Sequence, residues 1–304
     1  MRAAPFDFGL YQRGAGRPGR IHLPQSTDRT TIEPQAVLSQ IDTDSQEEPG
    51  MSRLLSMLLL GIATLGCGQS NEDRAHQEYL KGLSLARNKE FNQAIIAFSA
   101  AIRLRPNYAN AYVNRGFQYD ELGQTEKAVA DFSAAIRLNP QYAKAYYNRG
   151  TVYLKRKEYD RAIADFTQTI RLAPKDGDAY HNRGNAHRKQ EEYALAFRDY
   201  TKALEINRND GLAYYNRALT CLQAAGSGTE VQTNSHKQRN NYTHAIADLS
   251  HFLKLHPNVA SAFRLRGIAH RENGDVEKAT ADFKQAETMN AGPSNPQPAA
   301  SRAP

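Results

Sequence analysis

Small and apolar residues recur along this chain in two alternating stripes, each about one short helix long. From Ala109 to about Leu122, Tyr112, Gly116 and Tyr119 fall at three- and four-residue spacings, the mark of an amphipathic helix, and Gly123 stops it. From about Glu126 to Leu138 a second stripe carries Ala128, Phe132 and Ala135 on one face. Asn139-Pro140 closes it, because proline cannot supply the next helical N–H. The unit is thus two antiparallel helices. Gly116 inside the first costs about 1 kcal/mol relative to alanine, so it needs a packing reason. Close approach of the paired helices supplies one, with Ala128 facing the glycine and Tyr112, Tyr119 and Phe132 filling the sides.

The pair then recurs. Its mid-helix glycine returns as Gly82, Gly116, Gly150 and Gly184, then as Ala218 and, after one enlarged gap, Gly267. The small residue of the second helix returns as Ala94, Ala128, Ala162, Ala196, Ala245 and Ala279, followed four residues on by Phe98, Phe132, Phe166, Tyr200, Leu249 and Phe283. Prolines close four of the units, at Pro106, Pro140, Pro174 and Pro257. The expected fold is all-α, an α-solenoid of stacked antiparallel helix pairs over residues 75–291. Its units are 75–108, 109–142, 143–176, 177–210, 211–259 with an inserted loop at about 226–241, and 260–291.

On these columns the chain resembles the tetratricopeptide repeat family, whose pattern is W-x2-L-G-x2-Y, then A-x3-F, then P. It departs at the first position, where Tyr112, Tyr146, Tyr180, Tyr214 and Phe263 replace tryptophan. It departs again before the glycine, where Arg115, Arg149, Arg183, Arg217 and Arg266 replace leucine. The first unit, with Glu78 and Lys81 at those places, is the weakest match, as expected of a terminal repeat.

In that family the first helix of each repeat lines a concave groove. Counting Ala109 as position one, the groove positions the resemblance implies are two, five, six, nine, twelve and thirteen. Position six is asparagine in four successive units, Asn114, Asn148, Asn182 and Asn216. Two readings stay open. A column of carboxamides can pair with the backbone of an extended peptide whatever its side chains, and it is similar to the asparagine ladder of O-linked N-acetylglucosamine transferases. Alternatively each amide bonds its neighbour across the repeat junction. Tyr147, His181 and Tyr215 at position five, with Lys155 and Arg188 further along the helices, complete the candidate peptide-binding set. No unit has the position-five lysine with which co-chaperone members grip a C-terminal carboxylate.

The arginines beside the glycine tempt a nucleic-acid reading. However, they occur in the units that carry Asp131, Asp165, Asp199, Asp248 and Asp282, while the first unit has Lys81 and Ala97 instead. Pairing within each repeat follows, expected as an exposed registry device worth about 0–1 kcal/mol. Cys221 reads as a small buried hydrophobe, and His187 and His270 as packing residues. His236, His244, His251 and His256 cluster near the insertion without a carboxylate or cysteine at ligand spacing, so no metal site and no cofactor is expected.

Before the solenoid the composition changes. Residues 1–50 lack periodic apolar faces and predict a disordered extension, or lie ahead of a true start at Met51. Arg53, the apolar run Leu54 to Leu65 and Gly66-Cys67 have the plan of an export signal over residues 51–66. The end of that signal resembles the lipobox of bacterial lipoproteins, although Thr64 and Leu65 depart from it. The resemblance implies a diacylated Cys67 as membrane anchor, with residues 67–74 as a tether. Residues 292–304, rich in proline and alanine, predict a disordered tail.

A formal net charge of +7 suits acidic partners, anionic lipid or nucleic acid, and equally a plain soluble surface. No nucleophile motif or phosphate loop is present. The expected protein is a non-catalytic scaffold that binds protein or peptide partners, anchored in the bacterial envelope. A cytoplasmic adaptor or regulatory subunit, with association to nucleic acid as one form of it, is the less favoured alternative.

Overall fold

The structure, a computed structural model, describes residues 70–229, 231 and 239–290. The extension over residues 1–50, the signal at 51–66, Cys67, His236 and the tail at 292–304 lie outside the described residues. Among the described residues all regular structure is helical: α1 (Asn71–Arg87), α2 (Phe91–Leu104), α3 (Ala109–Glu121), α4 (Thr125–Leu138), α5 (Ala143–Lys155), α6 (Tyr159–Leu172), α7 (Gly177–Lys189), α8 (Tyr193–Ile206), α9 (Gly211–Ser227), α10 (Arg239–Leu255), α11 (Ala260–Glu272) and α12 (Val276–Asn290). They pack as consecutive pairs, α1 with α2 through α11 with α12, each second helix also lying on the first helix of the next pair. First helices touch first helices in the row α1, α3, α5, α7 and α9. Their outer faces therefore form one continuous surface.

The helix starts and turns differ from expectation in two places. The tether stops at Ser70, because Ser70 and Asp73 form a capping box: Asp73 N–H donates to Ser70 Oγ at 3.1 Å and Ser70 N–H to Asp73 Oδ2 at 3.3 Å. Residues 71–74 are already helix. Between the paired helices the chain turns through a left-handed residue, which is glycine at Gly123 and Gly274 but Lys89, Lys157 and Glu191 elsewhere, each near φ +60°. Glycine at this turn is thus optional, which is why a glycine-based reading of the helix ends sees only some of them.

Each pair closes on the column of second-helix alanines and the large residue four positions later. Ala94, Phe98, Ala128, Phe132, Ala162, Phe166, Ala196, Tyr200, Ala245 and Leu249 are all essentially buried, each large side chain contributing about 1.5–3 kcal/mol. The first-helix glycine does permit close approach, but its partner is the ring rather than the alanine. A Cβ on Gly82 would stand 2.5 Å from Phe98 Cε1, and one on Gly150 would stand 3.0 Å from Phe166 Cε1. Where the first helix carries Ala218, the ring is replaced by Leu249, so one methyl group is gained where an aromatic edge is lost.

The enlarged unit is not simply a loop. α9 and α10 each run to 17 residues, so both flanks of the expected 226–241 insertion are helix. Gly228, at φ +74°, ends α9; Asn241 donates to Thr229 O at 3.0 Å, and Val231 is buried against the cluster containing Tyr193 and Phe197. Added helical turns thus cover the large rings of α8.

Candidate functional site

The arginines next to the glycines are structural, and more deeply so than their spacing suggests. Each donates Nε and Nη2 to the two oxygens of the aspartate in its own second helix, at 2.7–2.8 Å: Arg115 to Asp131, Arg149 to Asp165, Arg183 to Asp199, Arg217 to Asp248 and Arg266 to Asp282. These are not the surface pairs expected. The aspartate side chains are 5–9 % exposed and the arginines 16–21 %. The remaining Nη1 donates backwards to a hydroxyl in the preceding pair, namely Ser99, Ser133, Thr167, Thr201 or Ser250. One guanidinium therefore ties three helices, and none of the five is free for a ligand.

The asparagine column is built into the junctions in three of its four members. Asn114 Nδ2 donates to Tyr79 Oη at 3.0 Å and to Asn110 O at 2.8 Å; Asn182 Nδ2 donates to Tyr147 Oη at 2.9 Å; Asn216 Nδ2 meets His181 Nε2 at 3.0 Å. In each case the partner is the position-five side chain of the preceding unit. Asn148 is the exception, because the preceding unit offers Val113, which has no polar atom. Its Nδ2 is buried without an acceptor.

His181 joins a chain of polar contacts. Its Nδ1 lies 3.2 Å from Asp210 Oδ2, while Asp210 Oδ1 accepts from Ala213 N–H at 3.0 Å and caps α9. A proton on Nδ1 is the arrangement that lets the ring donate to Asp210 and accept from Asn216. Burial pushes the Asp210 carboxyl upward, but the hydrogen bond and charge of His181 and the amides of Ala213 and Leu212 outweigh it, so its pKa falls below the ordinary value. Burial raises the phenols of Tyr79 and Tyr147, the former to about 12.

Further along the face, Lys155 is paired with Asp120 at 2.6 Å, whose Oδ1 is buried and unmatched. Arg188 Nη1 reaches Gln223 Oε1 at 3.2 Å, and its Nε is buried without an acceptor. Tyr200, fully buried with its phenol pushed up to about 12 by burial, donates to Asn185 Oδ1 at 2.7 Å. Tyr215 is buried and its hydroxyl is engaged by Ser261. Leu80 and Phe117 stand exposed on α1 and α3. Sequence reasoning passed over Lys144 and Asp210. Val113 is the position-five residue that breaks the run of Tyr79, Tyr147, His181 and Tyr215.

The other singled-out residues pack. His187 Nδ1 lies 2.6 Å from Glu192 and His270 Nδ1 3.3 Å from Asp275. His251 stacks on Tyr214 at 4.2 Å and His244 meets Phe197 edge-on at 5.5 Å. Among the described residues no three His, Cys, Asp or Glu side chains are grouped to hold a metal ion, and no helix is long and apolar enough to cross a membrane. Cys221 is fully buried, which pushes its thiol up.

Stacked helix pairs, glycine against ring and a shared first-helix face define an α-solenoid repeat protein. The repeats are tetratricopeptide repeats: family models described as tetratricopeptide repeat match residues 79–108, 97–130, 143–176, 177–210 and 232–296, and one described as TPR repeat matches 118–156. Among solved structures the chain is similar to YrrB, described as a TPR protein with an unusual peptide-binding site, at 24% identity and TM-score 0.55, covering 64% of this chain and 93% of that one. It is also similar to MamA, at 18% identity and TM-score 0.53, covering 60% and 92%. A third is pilF of Pseudomonas aeruginosa, at 16% identity and TM-score 0.59, covering 74% and 95%. These likenesses are of fold. No curated protein matches the sequence.

Proposed function

We propose that this chain is a non-catalytic scaffold of six repeats that binds extended segments of partner proteins across the face formed by α1, α3, α5, α7 and α9, anchored in a bacterial envelope through Cys67. The observation that carries the reading is a division of labour. The repeated arginines are consumed by internal pairs, whereas the first helices keep exposed apolar side chains, Leu80 on α1 and Phe117 on α3, and the unmatched amide of Asn148 on α5. Such a face suits an extended chain, which brings its own N–H and C=O groups. The peptide-binding site described for YrrB, a protein of the same fold, agrees with it. The spent arginines also remove the column that would favour nucleic acid.

Two measurements test this. A photo-crosslinking residue placed at Phe117 is expected to capture partner protein in the host cell, while the same residue at Ile96, exposed on α2, is not. Equal capture at both positions, or none at Phe117, contradicts binding at this face. Intact mass of protein from the native membrane fraction is expected to give a chain beginning at acylated Cys67, and Cys67→Ser to release it. A full-length, unacylated soluble chain removes the anchor.

A further inference from the structure

The polar groups of the first-helix face divide into those already matched and those without a counterpart. The matched cations are the five stapled arginines and Lys155. Lys144 and Arg188 are different. Lys144 lies on α5 one turn before Asn148 and on the same stripe of helix surface. It has no hydrogen-bond or ion-pair partner among the described residues, and although its side chain reaches solvent, the surrounding protein lowers its pKa below the ordinary lysine value. Arg188, partly buried on α7, meets two neutral groups, Gln223 and the Tyr200 hydroxyl, and has an unmatched Nε. No carboxylate pairs with it, and the nearby Tyr200 phenol is neutral at physiological pH.

The buried unmatched groups of α5 and α7 are therefore both donors, Asn148 Nδ2 and Arg188 Nε, and the exposed Lys144 adds an unpaired cation on α5. The unmatched acceptors, Gln118 Oε1 and Asp120 Oδ1, are on α3. A buried donor without an acceptor is costly, and a carboxylate is the side-chain group that only accepts when ionised. Resting on the groove reading above, we propose that the α5–α7 part of the face takes a partner segment through carboxylate groups set against Lys144 and Arg188. The Arg188 Nε is turned from water in the free chain, so its side chain re-aims as the carboxylate arrives, a rotamer change that is fast on the binding timescale. The α3 side then receives neutral or donor groups of the same segment.

The test is an array of synthetic ten-residue peptides probed with the chain from Cys67 onward. Each acidic peptide is also made with glutamine or asparagine in place of the acid, and each is made with a free and an amidated C-terminus. The expected result is that bound peptides are acidic, that the amide isosteres bind about tenfold more weakly, and that Lys144→Gln with Arg188→Gln removes this difference at unchanged helicity. Loss on C-terminal amidation assigns the carboxylate to the terminus, and its absence to side chains. Peptides that bind equally well with glutamine overturn the proposal; if Phe117→Glu still abolishes their binding, the groove reading stands. Binding insensitive to Phe117→Glu as well, or no bound peptide at all, overturns both.

Discussion

Arg149 Nη1 donates a 2.9 Å hydrogen bond to Ser133 Oγ, sixteen residues earlier and in the preceding helix pair, while its other two donors hold Asp165. The ion pair fixes a pair internally and the hydroxyl fixes its junction. Asp165→Ala leaves a mostly buried guanidinium without its counter-charge and is expected to cost about 3 kcal/mol. Ser133→Ala removes one neutral acceptor and is expected to cost about 1 kcal/mol. Urea unfolding followed by circular dichroism measures both, and equal costs contradict the division.

Gly82 and Phe98 form a close-packed couple, and Ala218 with Leu249 is the same couple with its bulk redistributed. Gly82→Ala is expected to destabilise by about 1–2 kcal/mol, the overpacking term exceeding the gain in helix propensity. Adding Phe98→Leu should recover part of that loss, whereas Phe98→Leu alone leaves a cavity. Additive effects in the double-mutant cycle would remove the couple.

Asn148 and Asn182 occupy the same place in neighbouring units with different partners. Asn182→Ala breaks the bond to Tyr147 Oη and is expected to cost about 1–2 kcal/mol. Asn148→Ala removes an amide whose N–H is unmatched and is expected to change stability by less than about 0.5 kcal/mol while weakening partner binding. Thermal unfolding of the two variants decides it.

Asp210 has a depressed pKa, so its contribution is present above the unfolded value of about 3.9 and is lost as pH falls through its lower folded value. Asp210→Asn is expected to cost about 1 kcal/mol near neutral pH through the α9 cap and His181. The gap between wild type and variant should narrow as pH falls below about 4 and through the lower folded value. A gap that persists unchanged there would show that the charge of Asp210 contributes nothing.

What could be read from the sequence was whatever recurs as a column. The glycine, the ring and the Arg–Asp co-occurrence each repeat in register, and each proves to be a contact. The Ser99, Ser133, Thr167, Thr201 and Ser250 column was equally visible and went unread, because its partner lies in the following unit. Its ends carry the clue. The first unit has Ser99 without an arginine or aspartate of its own, since it serves Arg115, and the last has Lys284 in that place. The junction bonds of the asparagines were one of two open readings, and only the placement of Val113 shows which amide they leave out. The early start of α1 and the extra turns of α9 and α10 occur once each, so no repetition exposes them.

Partners are expected to lie across the first helices. Amide hydrogen exchange of the chain, with and without the peptide captured at Phe117, measures this directly. Added protection is expected on α3, α5 and α7 and none on α4, α6 or α8. Protection confined to the second helices, or to the α11–α12 end, would contradict this placement.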